Sequence, residues 1–388
     1  VDALARLGAR LAEQQTKGLY RRHRMVGGPQ QVRLQMDGRQ MVSFCSNDYL
    51  GLANHPDVKA AFIRGVQQYG VGSGAAHLIA GHSRVHQQLE EELAEFTGYE
   101  RILLFSTGYM ANIGVLSALT ERHDVIYQDK LNHASLLDGG LQSRAKMKRY
   151  PHADVESLRY QLKNEMAVHG LVVTDGVFSM EGDIAPLPDI VSIASDRGYM
   201  VVVDDAHGFG VLGARGQGSV DAAGLNKAHI SAYMATLGKA MGTFGAFVAG
   251  SQAVIESLIQ FARSYVYTTA PPPAIAEATR TSLQILRQDE QRRLRLHDNV
   301  GYFRSVAAEL GVDTGRFATA IQPVRMPDVE SAIGVQRIME RRGYLIMAIR
   351  PPTTPQPCLR ITLCSEHAHN DIDGMLDVLT TTLKSMGV

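Results

Sequence analysis

Short apolar runs alternate with amphipathic stretches through most of the chain. Residues 102–105, 125–128, 171–174, 200–204, 230–236 and 246–249 are rich in Val, Ile, Leu, Ala and Met with few polar breaks. Runs of that kind predict strands covered on both faces. Between them, helical spacing of apolar residues predicts helices over 85–97, 108–119 and 187–197, with another starting near Ala134. The alternation predicts an α/β fold whose central sheet is mostly parallel. Ligands in such folds collect beyond the carboxyl ends of the strands.

The flanking segments follow other patterns. Residues 3–15 read as an amphipathic helix, and 31–36 and 41–44 alternate around Asp37-Gly38 as a hairpin. SNDYLGL (46–52) is a turn, and His55-Pro56 opens a helix to about Tyr69, before a glycine-rich loop over 70–83. Residues 274–310 predict one long connecting helix. After it, strands at 321–326 and 359–363 and helices at 330–342 and 370–386 predict a smaller α+β unit. The division expected is an N-terminal helix and hairpin segment (1–45), a large domain (46–285) and a small C-terminal domain (286–388).

Composition narrows the function classes. The chain has 388 residues, 45% apolar and 20% charged, with formal net charge zero. That charge balance offers no electrostatic case for nucleic acid or an anionic membrane. Cys45, Cys358 and Cys364 form no CxxC pair, which argues against a disulfide framework or a zinc knuckle. No apolar run approaches the roughly 20 residues that span a bilayer, and VDALARLGARLAEQQ has no signal-peptide core. A cytoplasmic protein is the expectation.

Candidate chemistry concentrates after the apolar runs. Lys239 lies in ATLGKAMGTFG (235–245), between two of them. A desolvated amine loses its proton more readily and becomes a nucleophile towards a carbonyl, and the glycines let a flat ligand approach. This points to Lys239 as the residue that carries pyridoxal phosphate covalently. MVVVDDAHGFG (200–210) is a strand ending in Asp204, followed by His207. A buried acid there either caps the strand or pairs with a cation such as a protonated pyridine nitrogen. Ser106-Thr107-Gly108-Tyr109 follows a strand and opens a helix, a disposition suited to a phosphate. Thr236 offers a hydroxyl to the same phosphate, or is simply a β-branched strand residue. His133 either stacks on a planar ring or caps a helix, and Ser179 either bonds a ligand oxygen or is a turn residue. The chain has no GxxxxGK[ST] motif, and the GxGxG within 70–74 follows a helix rather than a strand. The pair His367 and His369 lacks a third ligand at metal spacing and reads as surface; no metal is expected.

Six motifs in order, SNDYLGL, STGYMAN, NHASLLDG, TDGVFSMEGDIAPL, VVDDAHGFGVLG and TLGKAMG, closely resemble those of the α-oxoamine synthases. These are pyridoxal-phosphate acyltransferases of fold type I, the aspartate-aminotransferase-like fold. AIRPPTTP (348–355) and LNHASLLDGG look most like the branch that makes 8-amino-7-oxononanoate for biotin. Related branches use glycine with acetyl-CoA or serine with a long acyl-CoA, and one contains a cofactor-free partner subunit that lacks the lysine.

The resemblance implies that Lys239 is the cofactor lysine and later the base, Asp204 the pyridinium partner and His133 the stacking residue. Ser179 and His207 would bond the ring's phenolic oxygen, and Gly108, Tyr109 and Thr236 the phosphate. Thr268 and Thr269, in YTTAPPP, would reach the phosphate of the other subunit of a homodimer. Arg350 would pair with the amino-acid carboxylate, with Arg21, Asn47, His133 and Thr353 at substrate-contacting positions. The substrates implied are L-alanine and a pimeloyl thioester of coenzyme A or an acyl-carrier protein, for which Arg21–Arg24 is a candidate docking patch. One departure is GAAHLIA (74–80), where family members carry a stretch like GGSGHVS.

Overall fold

The computed structural model describes residues 2–387. Strands β1 (Arg33–Met36) and β2 (Arg39–Ser43) form the expected hairpin. Its two-residue turn takes positive φ at both Asp37 (48°) and Gly38 (79°), the twist that a tight hairpin requires.

Seven strands then build the central sheet: β3 (Arg101–Phe105), β4 (Val125–Asp129), β5 (Lys146–Tyr150), β6 (Gly170–Asp175), β7 (Met200–Asp204), β8 (Ala232–Thr236) and β9 (Ala246–Gly250). Their order is β3-β9-β8-β7-β6-β4-β5. Strands β8 through β5 run parallel, and β9 is antiparallel to both of its neighbours. Apolar side chains alternate between two buried layers. In β7, Val201 and Val203 join one core cluster and Val202 the other; in β8, Tyr233 and Ala235 face one layer, Ala232 and Met234 the second.

The C-terminal part contributes β10 (Ile321–Arg325), β11 (Tyr344–Leu345), β12 (Met347–Ile349) and β13 (Cys358–Thr362). Strands β10, β13 and β12 form one small sheet, while β11 pairs parallel to β2. The N-terminal hairpin is therefore extended by a strand some 300 residues away, Tyr344 lying beside Val42.

Four expectations need correction. The stretch 274–310 is two helices, Pro273–Gln288 and Glu290–Glu309, broken at Asp289, whose ψ of 75° is not helical. Strand β5 and the helix Val155–Lys163 escaped the apolar pattern because KMKRY is an edge strand with only Tyr150 buried. The glycine-rich loop contains a π-helical turn, His77–Gly81. His367 is not a surface residue: it is buried and stacked on Phe44, its Nδ1 accepting from Cys364 N–H and its Nε2 lying against Ser43 O, each at 2.9 Å. His369, its neighbour in the pair, is solvent-facing. No helix among the described residues is long and apolar enough to cross a membrane.

Candidate active site

Adjacent parallel strands end together, and their last residues are polar: Asp129, Asp175, Asp204 and Thr236 close β4, β6, β7 and β8. Asp175 and Asp204 are register partners, so two acids meet at one edge. A cavity of about 200 Å³ opens there. It is lined by Gly108, Tyr109, His133, Ser179, Asp204, His207, Thr236 and Lys239, together with Asn112, Ser135 and Asp175.

The loop after β8 delivers Lys239. Gly242 lets that loop lie flat on the SNDYLGL turn: it has φ +65°, and a Cβ there would sit 2.4 Å from Ala53 N. Lys239 Nζ lies 2.9 Å from His207 Nε2, and His207 Nδ1 lies 2.7 Å from the Tyr49 hydroxyl. Tyr49 in turn donates to Asn47 Oδ1 at 3.2 Å. The chain of bonds is satisfied when Lys239 donates to Nε2 and His207 carries its proton on Nδ1. Burial pulls Lys239 down to about 8, with Asp204 and Asp175 opposing that fall. Burial also pulls His207 well below its usual range, helped by the charges of Lys239 and Arg360, so the imidazole is neutral.

Asp204 is buried and accepts from Asn112 Nδ2 (2.7 Å) and Ala206 N–H (3.0 Å). No salt bridge reaches it among the described residues, and a buried carboxylate is costly without a cation. Asn112 also donates to Ser135 Oγ (2.8 Å), and its own Oδ1 is buried without a partner. Ser135 lies 2.7 Å from His133 Nδ1 and also gives that nitrogen its N–H (3.3 Å). Nδ1 is thus the acceptor, which leaves Nε2 protonated in a ring that burial keeps neutral. Asp175 accepts from His133 N–H at 3.2 Å. Burial and then the Asp204 charge push its carboxyl well above the usual range.

On the phosphate side, Thr107 caps the helix Gly108–Ala118, accepting from Met110 N–H at 3.2 Å, and the positive end of that helix opens on the cavity. Thr236 donates to Gly245 O at 3.0 Å and accepts from Gly238 N–H at 3.3 Å. A buried acid without a cation, an amine of lowered pKa, a flat imidazole and a helix N-terminus in one cavity are the donor set that pyridoxal phosphate needs. The residues fit the group.

Not every expected residue reaches the cavity. Arg350 follows β12, half-buried and outside the lining. Arg360 on β13, also outside the lining, is tied to its wall: its Nε donates to Ser179 O (2.7 Å), and its guanidinium to Asn47 Oδ1 (3.2 Å). Arg21 and Thr353 are exposed and also outside the lining, and Asn47 is connected to it through Tyr49. Thr268 and Thr269 lie apart, Thr269 bridging to Ala76. The sequence carried signals for what was missed. Asn112 is four residues after Gly108, hence on the same helix face, and Arg360 is the lone cation in the buried strand CLRIT.

Residues 39–379 match the aminotransferase class I and II family. The 8-amino-7-oxononanoate synthase of Methylococcus capsulatus is 55% identical over 371 residues, covering 95% of this chain and 96% of that one. The enzyme of the same name from Pseudomonas putida KT2440 is 50% identical, covering 96% of each. The chain belongs to the 8-amino-7-oxononanoate synthase family. Among solved structures, the 8-amino-7-oxononanoate synthase of Francisella tularensis superposes with a TM-score of 0.80 at 32% identity, covering 90% of this chain and 99% of that one. Sphingomonas wittichii serine palmitoyltransferase gives 0.94 at 30% identity, covering 100% and 99%. The fold is that of the fold-type I pyridoxal-phosphate enzymes, and the chain is a transferase dependent on that cofactor.

Proposed function

We propose that the protein condenses L-alanine with a pimeloyl thioester of coenzyme A or an acyl-carrier protein, releasing carbon dioxide and the free thiol and forming 8-amino-7-oxononanoate. The observation that carries this is the pairing of Lys239 and Asp204 in one cavity, in a chain about half identical to synthases of that name. Bound there, pyridoxal phosphate supplies an electron sink beside the amino-acid Cα. Asp204 would hold the ring nitrogen protonated, supported by Asn112, and His133 would stack on the ring, oriented by Ser135. Gly108, Tyr109 and Thr236 would take the phosphate, and Ser179 and His207 the phenolic oxygen. In a homodimer, Thr268 and Thr269 would serve the second subunit's phosphate.

Lys239 would anchor the cofactor, and its neutral amine would serve as the base for the Cα proton. The fall of its pKa to about 8 makes a neutral fraction available near neutrality. His207 and Tyr49 hold that amine in place through the 2.9 Å and 2.7 Å contacts. Arg360, rather than Arg350, would pair with the alanine carboxylate, its fork held by Ser179 O and Asn47 Oδ1. The sheet-bearing segment 46–285 thus holds the cofactor, and the C-terminal segment supplies the carboxylate partner. The test is release of labelled carbon dioxide from carboxyl-labelled amino acids with each thioester. Alanine with pimeloyl-CoA or pimeloyl acyl-carrier protein should react fastest. Preference for glycine with acetyl-CoA, or serine with palmitoyl-CoA, would overturn the assignment.

A further inference from the structure

Away from the cavity, one group of three histidines comes together among the described residues. His77 begins the π-helical turn His77–Gly81, His82 follows that turn, and His86 lies in the first turn of the helix Arg84–Thr97. One nitrogen from each ring lies within 4.8 Å of the other two. His77 and His86 are buried and His82 half-buried.

The surrounding bonds set the tautomers. His86 Nε2 donates to Pro271 O at 2.9 Å, which leaves the lone pair on Nδ1. His82 Nε2 faces Gln87 Oε1 at 3.4 Å and Glu90 Oε2 at 3.9 Å, so its Nδ1 is the acceptor. That Nδ1 stands 2.9 Å from His77 Nδ1, and His77 Nε2 is buried without a partner. An outer N–H held by a backbone carbonyl, as in His86, orients a metal-ligating imidazole, and the Gln87 amide oxygen plays that part for His82. Burial, with the neighbouring imidazoles, pulls His77 down to about 3, and burial pulls His86 down to about 4. Both are therefore neutral near neutral pH, the ligating form.

We propose that His77, His82 and His86 form a binding site for a first-row divalent transition ion of the Zn²⁺ class, with solvent completing the coordination. An all-nitrogen set suits Zn²⁺, Co²⁺ or Ni²⁺ and not the oxygen-seeking Mg²⁺ or Ca²⁺. Three imidazoles around a tetrahedral ion sit about 3.4 Å apart at their nitrogens, so the 2.9 Å His77–His82 contact opens slightly while the longer separations close by up to roughly an ångström. The ion takes the place of Ser83 N–H and Ser83 Oγ, now 3.1 Å and 3.0 Å from His86 Nδ1. It pins the π-helical turn to the helix that follows. The residues just before the turn also bind the 269–270 segment, through the Ala76–Thr269 bridge and Ala270 N–H to Ala75 O at 3.0 Å. Metal binding would stiffen that segment as well.

The holoenzyme loaded with Zn²⁺, and separately with Co²⁺, then desalted, tests this by metal analysis and by the visible d–d absorption of Co²⁺. The wild-type chain should keep one ion and show a tetrahedral Co²⁺ band. His77→Ala and His82→Gln should lower retention at least about tenfold, while His123→Ala, at an exposed histidine elsewhere, should not. If His77→Ala fails to fold, the half-exposed His82→Gln decides. A wild-type chain that loses its ion on desalting, or a His82→Gln chain that keeps it equally well, overturns the proposal.

Discussion

Replacing Lys239 by methionine should stabilise the cofactor-free protein at neutral pH while abolishing turnover. Burial lowers the amine from 10.5 to about 8. At about 1.36 kcal/mol per pKa unit, that fall means a charged Lys239 costs the fold roughly 3 kcal/mol. Lys239 is only partly buried by area, which trims the cost to about 2 kcal/mol. Methionine has similar length and no charge, so it removes this cost, but His207 Nε2 loses its partner at 2.9 Å, worth about 1 kcal/mol. The net gain expected near neutral pH is about 1 kcal/mol. The penalty is full below about 8, where the folded amine is charged, and fades as pH rises towards 10.5, where the unfolded lysine also loses its proton. The variant's advantage should therefore vanish, and turn to a slight deficit, at the alkaline end. Urea midpoints of both cofactor-free proteins across that range measure it. A Lys239→Met protein less stable than wild type near neutrality, or a difference that does not change with pH, would refute the reasoning.

Three further outcomes are expected. Arg360→Lys should raise KM for the amino acid about tenfold or more with a smaller change in kcat, because a point charge replaces a two-pronged donor; Arg350→Lys should leave KM near wild type. Asp175→Asn should cost under about 1 kcal/mol, since burial beside Asp204 already disfavours its charge, and should change kcat far less than Asp204→Asn, which should lower it by at least about a hundredfold; equal losses of kcat in both would be inconsistent with the different surroundings of the two acids. His152 lies 3.0 Å from Asp129 and 2.7 Å from Asp183. Burial alone would lower its pKa, but these carboxylates outweigh burial and raise it from 6.5 to about 10. A raised histidine contributes stability that is full below about 6.5 and lost as pH climbs through about 10. His152→Gln should thus cost about 2 kcal/mol at mildly acidic pH and progressively less under alkaline conditions, as read by denaturant midpoints.

Local chemistry made much of this protein legible from its residues in order. Strands β7 and β8 announced themselves because both faces of a central strand are buried, so four apolar residues in a row have one stable use. The hairpin turn followed from Asp37-Gly38, where positive φ is required at both positions. Lys239, Asp204, His133 and His207 stood at strand ends, where an α/β sheet gathers its polar residues. Strand β5 stayed hidden, because an edge strand needs little apolar surface, and so did the break at Asp289, because both flanking stretches favour helix. Charge partnership was equally invisible. Arg360 is about 180 residues from Ser179 in the chain yet donates to its carbonyl on the cavity wall, and nothing in the order of residues announces that contact. The raised pKa of Asp175 depends on burial beside Asp204, and the lowered pKa of Lys239 on a cavity walled by five segments. Identity and periodicity act through the nearest few residues, so sequence alone determines which elements form and what chemistry each carries. Desolvation and pairing act through space, so only the tertiary structure decides which groups are charged and which of them meet.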